Sequence, residues 1–167
     1  MKGLVSFILL FVSIFNVTGQ VVVMDHSHLP INVPAAVEIP ALSLDLTKDA
    51  MSGYNLTLNI QKYRLIPPPE SLSMPEMMNP SVNAVSGFIE GHAHLYINGV
   101  KIQRVYGKNI HLPQGLFKTG LNTVSVTLNN HGHMYWVAKD KKVLATLYVN
   151  QDKNPFITYK FESFPVK

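Results

Sequence analysis

The stretch His92-Ala93-His94-Leu95-Tyr96-Ile97-Asn98-Gly99-Val100-Lys101-Ile102-Gln103-Arg104-Val105-Tyr106 decides the fold class. Asn-Gly between two runs of mixed polarity is the strongest short-range signal for a two-residue hairpin, because both turn positions need a positive φ. Residues 92–97 therefore read as one strand and residues 100–106 as its antiparallel return. Apolar residues at 100, 102 and 105 or 106 break the period of two. A β-bulge in the return strand would reconcile them.

The same punctuation continues on both sides of the hairpin. Residues 37–46 alternate towards their end, and Tyr54, Leu56, Leu58 and Ile60 fall on one face of a second run. Pro67-Pro68-Pro69 cannot continue a sheet ladder. The stretch 67–86, with five prolines and Met74, Met77 and Met78, reads as a long surface loop. Downstream, 109–112 is a short apolar piece and 121–128 alternates. Residues 129–140 read as a loop, 143–149 as a strong strand and 156–161 as an edge strand. The expectation is an all-β protein, an antiparallel β-sandwich of immunoglobulin or cupredoxin type with about seven to eight strands.

Lys2, the apolar run 4–15 and the small residues at 17–19 have the layout of a secretory signal. The expected division is a signal peptide over 1–19, an N-terminal leader over 20–36 and a single β-sandwich domain over 37–167. The apolar run falls short of the roughly 20 residues that a spanning helix needs, a retained N-terminal anchor being the alternative. The chain is thus expected to be secreted or periplasmic, with no membrane span after signal removal. It contains no cysteine, which excludes zinc–thiolate sites, thiol nucleophiles and a His2Cys copper centre. The net charge of +4 is spread over scattered lysines, and no basic stripe is interleaved with aromatics, which argues against nucleic acid as a partner. Asn55-Leu56-Thr57 would accept an N-glycan in a eukaryotic secretory route.

Five of the seven histidines lie in two His-x-His clusters, His92/His94 and His131/His133, and at His111 between them. Residues two apart on a strand share a face and stand about 6–7 Å apart, so one cation can be reached from both. Neutral imidazole suits zinc, copper, iron and nickel, and the adjacent thioether of Met134 tilts the choice towards Cu(I). The competing readings are ordinary ones. His92 and His94 would be polar residues on a solvent face, and His131 and His133 part of a solvated turn. Met134 would be a core plug beside Trp136, and His111 a satisfied core histidine. Glu90 shares the face of His92 and could be a ligand or an outer acceptor. Asp25-His26-Ser27-His28 repeats the form near the N-terminus, as a weak capture site or a polar leader. The methionines at 74, 77 and 78 either deliver Cu(I) or fill gaps.

No Gly-x-Ser-x-Gly, phosphate loop or acid–base pair is legible, so no catalytic residue is assigned and the chain is not expected to be an enzyme. The site residues expected for a metal are His92, His94, His131 and His133, with Met134 and His111 as outer candidates. Two rival functions remain. One is a structural or adhesive envelope module. The other is a carbohydrate-binding module stacking sugars on Tyr96, Tyr106, Tyr135 and Trp136.

Residues 52–56, the run from Gly91 to Gly107 (GHAHLYxxGxKxxRxYG), His111-Leu112-Pro113 and Val126 to His133 (VTLNxxxH) resemble a group of small exported bacterial β-sandwich domains. The likeness spans roughly residues 40–150. It implies an exported sandwich and leaves the activity open. The chain departs from that group at Lys108-Asn109, where an aromatic usually follows Tyr-Gly. A looser likeness to cupredoxins rests on ligands drawn from an early strand and from the loop before the last strand. Without cysteine, it implies copper storage or delivery rather than electron transfer. The ion expected is copper, with zinc as the alternative, and the partner a copper-donating or copper-accepting envelope protein.

Overall fold

The computed structural model describes residues 29–167. The expected signal peptide, most of the leader and the His26/His28 pair lie outside the described residues. The fold is all-β, and thirteen strands are present among the described residues, more than the seven or eight expected. The excess comes from short pieces that periodicity does not register.

A three-stranded antiparallel sheet is built from β2 (Ala41–Lys48), β3 (Tyr54–Gln61) and β8 (Asn109–Leu112), with β3 in the middle. The larger sheet is centred on β9 (Leu121–Asn129). Along one side of β9 runs β6 (Ile89–Ile97), and along the other β12 (Leu144–Asn150). The hairpin partner β7 (Val100–Val105) borders β6, and β13 (Ile157–Glu162) borders β12. Asn98 and Gly99 both take positive φ, 53° and 79°, as the expected Asn-Gly turn requires. The register slips once: Leu95 faces Gln103 but Tyr96 faces Lys101, which leaves Ile102 as the extra residue of a bulge.

One apolar core joins the two sheets. Leu42, Leu44, Leu46, Leu56 and Leu58 from the small sheet meet Ala93, Leu95, Val124, Val126 and Leu147 from the large one. Each leucine removed from water contributes about 1.5–3 kcal/mol, and a cysteine-free chain depends on this packing. The alternation that fills the core fixes the opposite face. With Ala93, Leu95 and Ile97 turned inwards, His92, His94 and Tyr96 must point away from the core.

The short pieces gather around the start of β6. From the expected leader, β1 (Pro30–Asn32) pairs in parallel with β10 (Tyr135–Ala138), so this part of it belongs to the sheet. β10 itself lies within the stretch expected to be loop, and β11 (Lys141–Lys142) pairs with it. β4 (Tyr63–Leu65) runs parallel to Ile89–Gly91, and β5 (Ser81–Val82) runs antiparallel to the same residues. Between β4 and β5 the proline-rich stretch carries a one-turn helix, α1 (Met74–Met78), with Ser73 and Glu76 forming a capping box. Residues 66–80 are therefore a strap anchored to β6 at both ends.

Candidate metal centre

His92 and His94 leave β6 on the face away from the core, yet they are 1% and 0% exposed. An open solvent face is thus not their environment, and they are not polar residues of an exposed strand. Their cover comes from the loop after β9. His133 brings its ring onto both: centroids lie 4.8 Å from His92 and 5.3 Å from His94. The Tyr106 ring flanks His92 at 5.6 Å.

Three ring nitrogens converge. His94 Nε2 stands 2.9 Å from His92 Nε2 and 3.2 Å from His133 Nδ1. All three ligand atoms lie within 4.8 Å of one another. A tetrahedral zinc ion with Zn–N near 2.0–2.1 Å spaces its nitrogens about 3.3–3.4 Å apart, so two of the spacings need only a few tenths of an ångström of adjustment. Without a cation the arrangement is awkward. A neutral imidazole nitrogen carries one N–H or one lone pair. His94 Nε2 therefore serves both neighbours only by dividing one proton, or one lone pair, between them. A bound ion accepts a lone pair from each ring at once. The other nitrogen of His94, Nδ1, meets the Tyr96 hydroxyl at 3.4 Å. That hydroxyl donates or accepts, so it can follow the His94 proton to whichever nitrogen the ion leaves free, as outer-shell partners of metal-bound imidazoles do.

The loop is held in place by two asparagines. Asn129 faces His92 across the β6–β9 ladder, accepts from the Thr127 hydroxyl at 2.7 Å and donates to the His133 carbonyl at 2.8 Å. The Asn130 backbone N–H donates to the Met134 carbonyl, and its side-chain oxygen accepts the Met134 N–H, both at 2.9 Å. The strap seals the outside. The Asn130 side-chain amide donates to the carbonyls of Met77 and Met78 at 3.1 Å, and the Gly132 N–H donates to Met77 at 2.8 Å. At the start of β6, the Tyr63 hydroxyl lies between the carbonyls of His92 (3.0 Å) and Asn129 (2.6 Å) and shares its single proton between them, the shorter contact being to Asn129.

The expected site residues divide as follows. His92, His94 and His133 are brought together. His131 lies in the same loop, 3% exposed, with its ring outside the convergent set. Strand geometry puts residues two apart on one face, but residues 131–132 form a turn and His133 takes φ 72°, so that rule does not hold for this pair. Met134 is half-buried and closes the loop through its backbone. His111 requires a correction. It is exposed on β8, meets Asn55 at 3.3 Å, and belongs to the small sheet. Its neighbours Ile110 and Leu112 turn towards the core, so His111 projects outwards, with the whole core between it and the triad. Glu90 is not in the triad. It binds Arg64 at 3.1 Å and Asn83 at 2.9 Å. The positioning roles of Asn129, Asn130, Tyr96 and the strap were not foreseen, although Asn129-Asn130 beside a glycine carries a turn signal.

Burial, helped by the neighbouring histidines, pushes His92 down to about 2, and burial also lowers His131. The His92 ring is thus neutral in the fold at pH values where an unfolded histidine, near 6.5, takes up a proton, and His131 shifts in the same direction. The unfolded chain binds more protons there, so stability rises with pH. Metal-free protein should lose stability steadily from pH 7 to pH 5, before Asp45 or Asp49 can contribute, since their values are lowered from 3.8. Urea midpoints at the two pH values check this, and equal midpoints would contradict it.

Gly132 offers a second check. A Cβ there would stand 2.7 Å from the Met78 sulfur and 2.9 Å from the Met77 carbonyl oxygen. The sulfur can swing away but the carbonyl cannot, so Gly132→Ala should lift the strap off the loop. The expected result is a loss of about 1–2 kcal/mol and faster proteolytic cutting within 66–80, read by limited digestion.

Comparison with protein-family profiles, with curated proteins and with solved structures found no match.

Proposed function

We propose that this is an exported metal-binding protein that sequesters or hands over copper, with zinc as the second choice of ion, through His92, His94 and His133. The observation carrying the reading is the meeting of three imidazole nitrogens in a largely buried cluster where hydrogen bonding alone serves them poorly. Their donor set is entirely nitrogen and uncharged, which suits copper and zinc and disfavours magnesium or calcium. Soft sulfur nearby favours copper: the Met78 thioether packs against Gly132 within the histidine loop, and Met134 follows the loop directly. The apolar N-terminal run supports export, and no helix among the described residues is long and apolar enough to cross a membrane.

Anaerobic titration of metal-free protein with Cu(I) and with Zn(II), each against a chromophoric chelator, tests the reading. One ion per chain is expected, with Cu(I) held more tightly than Zn(II). Failure of both ions to compete with a micromolar chelator would end it.

A further inference from the structure

The His131 ring is buried beside the triad, and neither of its nitrogens has a hydrogen-bond partner. Most buried polar side-chain atoms in folded proteins are bonded, and leaving one bare costs about 1–3 kcal/mol. Here one ring leaves two bare, in a loop otherwise closed by well-formed bonds. A solvated turn would expose the ring, and a core residue in its place would be apolar. The ring also lies close enough to His92 and to the Glu90 carboxylate to interact with both electrostatically.

We propose that His131 is the fourth ligand of the centre, a ring held in reserve that turns onto the ion once His92, His94 and His133 have bound it. This rests on the metal reading above and extends it to a closed cage of four imidazoles. The backbone on either side is pinned, so the movement asked of His131 is one of its side chain. Asn130 N–H stays on the Met134 carbonyl and Gly132 N–H on the Met77 carbonyl, while the His131 side chain rotates about its own bonds. Glu90, held by Arg64 and Asn83, supplies a negative charge near the His131 ring, which favours a cation there. A centre with four protein ligands keeps no position for water or substrate. The function it fits is holding an ion, and release would require His131 to leave first.

Zn(II) is the probe, because it imposes no d-electron geometry and so reports the donors the protein offers. X-ray absorption of the zinc-loaded full chain should count four imidazole nitrogens. In His131→Leu the count should fall to three, with one oxygen from water added. Zinc affinity should drop more than about 100-fold, beyond what losing an outer partner costs. His131→Leu should be at least as stable as the parent without metal, since it removes an unpartnered ring, and His131→Gln serves as a second variant of similar volume. Three nitrogens in the parent, or an unchanged affinity in both variants, would overturn the fourth-ligand assignment and leave the triad standing. No zinc binding by the parent would overturn the fourth-ligand assignment, and only failure of Cu(I) as well would overturn the metal reading with it.

Discussion

Replacing His94 by leucine is expected to abolish metal binding while the domain still folds. His94 is the middle member of the triad: its Nε2 is the atom nearest to both other ring nitrogens. Without it, His92 and His133 keep a contact between rings but lose the nitrogen that links them. With the middle nitrogen gone the remaining imidazoles no longer converge on one point, so affinity should fall by well over about 100-fold, more than an outer-shell loss. The side chain is 0% exposed and its position on β6 is fixed by the ladder to β9, so an apolar residue of similar size fills the space. His111→Ala is the matched control. It removes an exposed imidazole on the far side of the core and should change neither affinity nor, beyond about 0.5 kcal/mol, stability. Competition titration of the two variants beside the parent reads the result. Equal binding by His94→Leu and the parent would show that any bound ion sits elsewhere.

The largest effect on stability is expected at Gly91. A Cβ there would lie 2.2 Å from the Asn129 carbonyl oxygen and 2.5 Å from the Tyr63 hydroxyl. Neither neighbour can retreat. Asn129 closes the β9 ladder opposite His92, and the Tyr63 hydroxyl is held between two carbonyls within the structure. Gly91→Ala must therefore force β6 away from β9 at the point where the histidine pair begins. A cost of about 3 kcal/mol or more is expected, at or above the upper end of ordinary overpacking. Because His92 is the next residue, metal affinity should fall as well. Gly107, where a Cβ meets nothing within 4 Å, is the neutral comparison. Urea unfolding of both alanine variants distinguishes them, and a Gly91→Ala midpoint matching that of Gly107→Ala would show that the strands yield without cost.

The strand pattern was legible because it is local. Tyr54, Leu56, Leu58 and Ile60 alternate over a few residues, and Asn98-Gly99 dictates its own turn. The short pairings were not legible. β1, β4, β5 and β11 have two or three residues each, too few to show a period, and they exist only because a longer strand offers them an edge. The misplacement of His111 has the same root. Its sequence neighbourhood is apolar, but which sheet β8 joins depends on its pairing with β3, a contact across more than fifty residues of chain.

The amino-acid order alone determined that His92 and His94 leave one strand on one side, because a period of two allows nothing else once Ala93 and Leu95 turn to the core. It determined equally that no thiolate would take part in any site. Which third imidazole joins them, and whether water reaches the pair, was decided only by tertiary structure. A left-handed residue at His133, two asparagine side chains and a methionine-bearing strap from another part of the chain select the partner and exclude solvent. Spacing along a strand fixes direction; what lies above that face is set by segments whose approach costs chain entropy and is repaid only when all of them pack together.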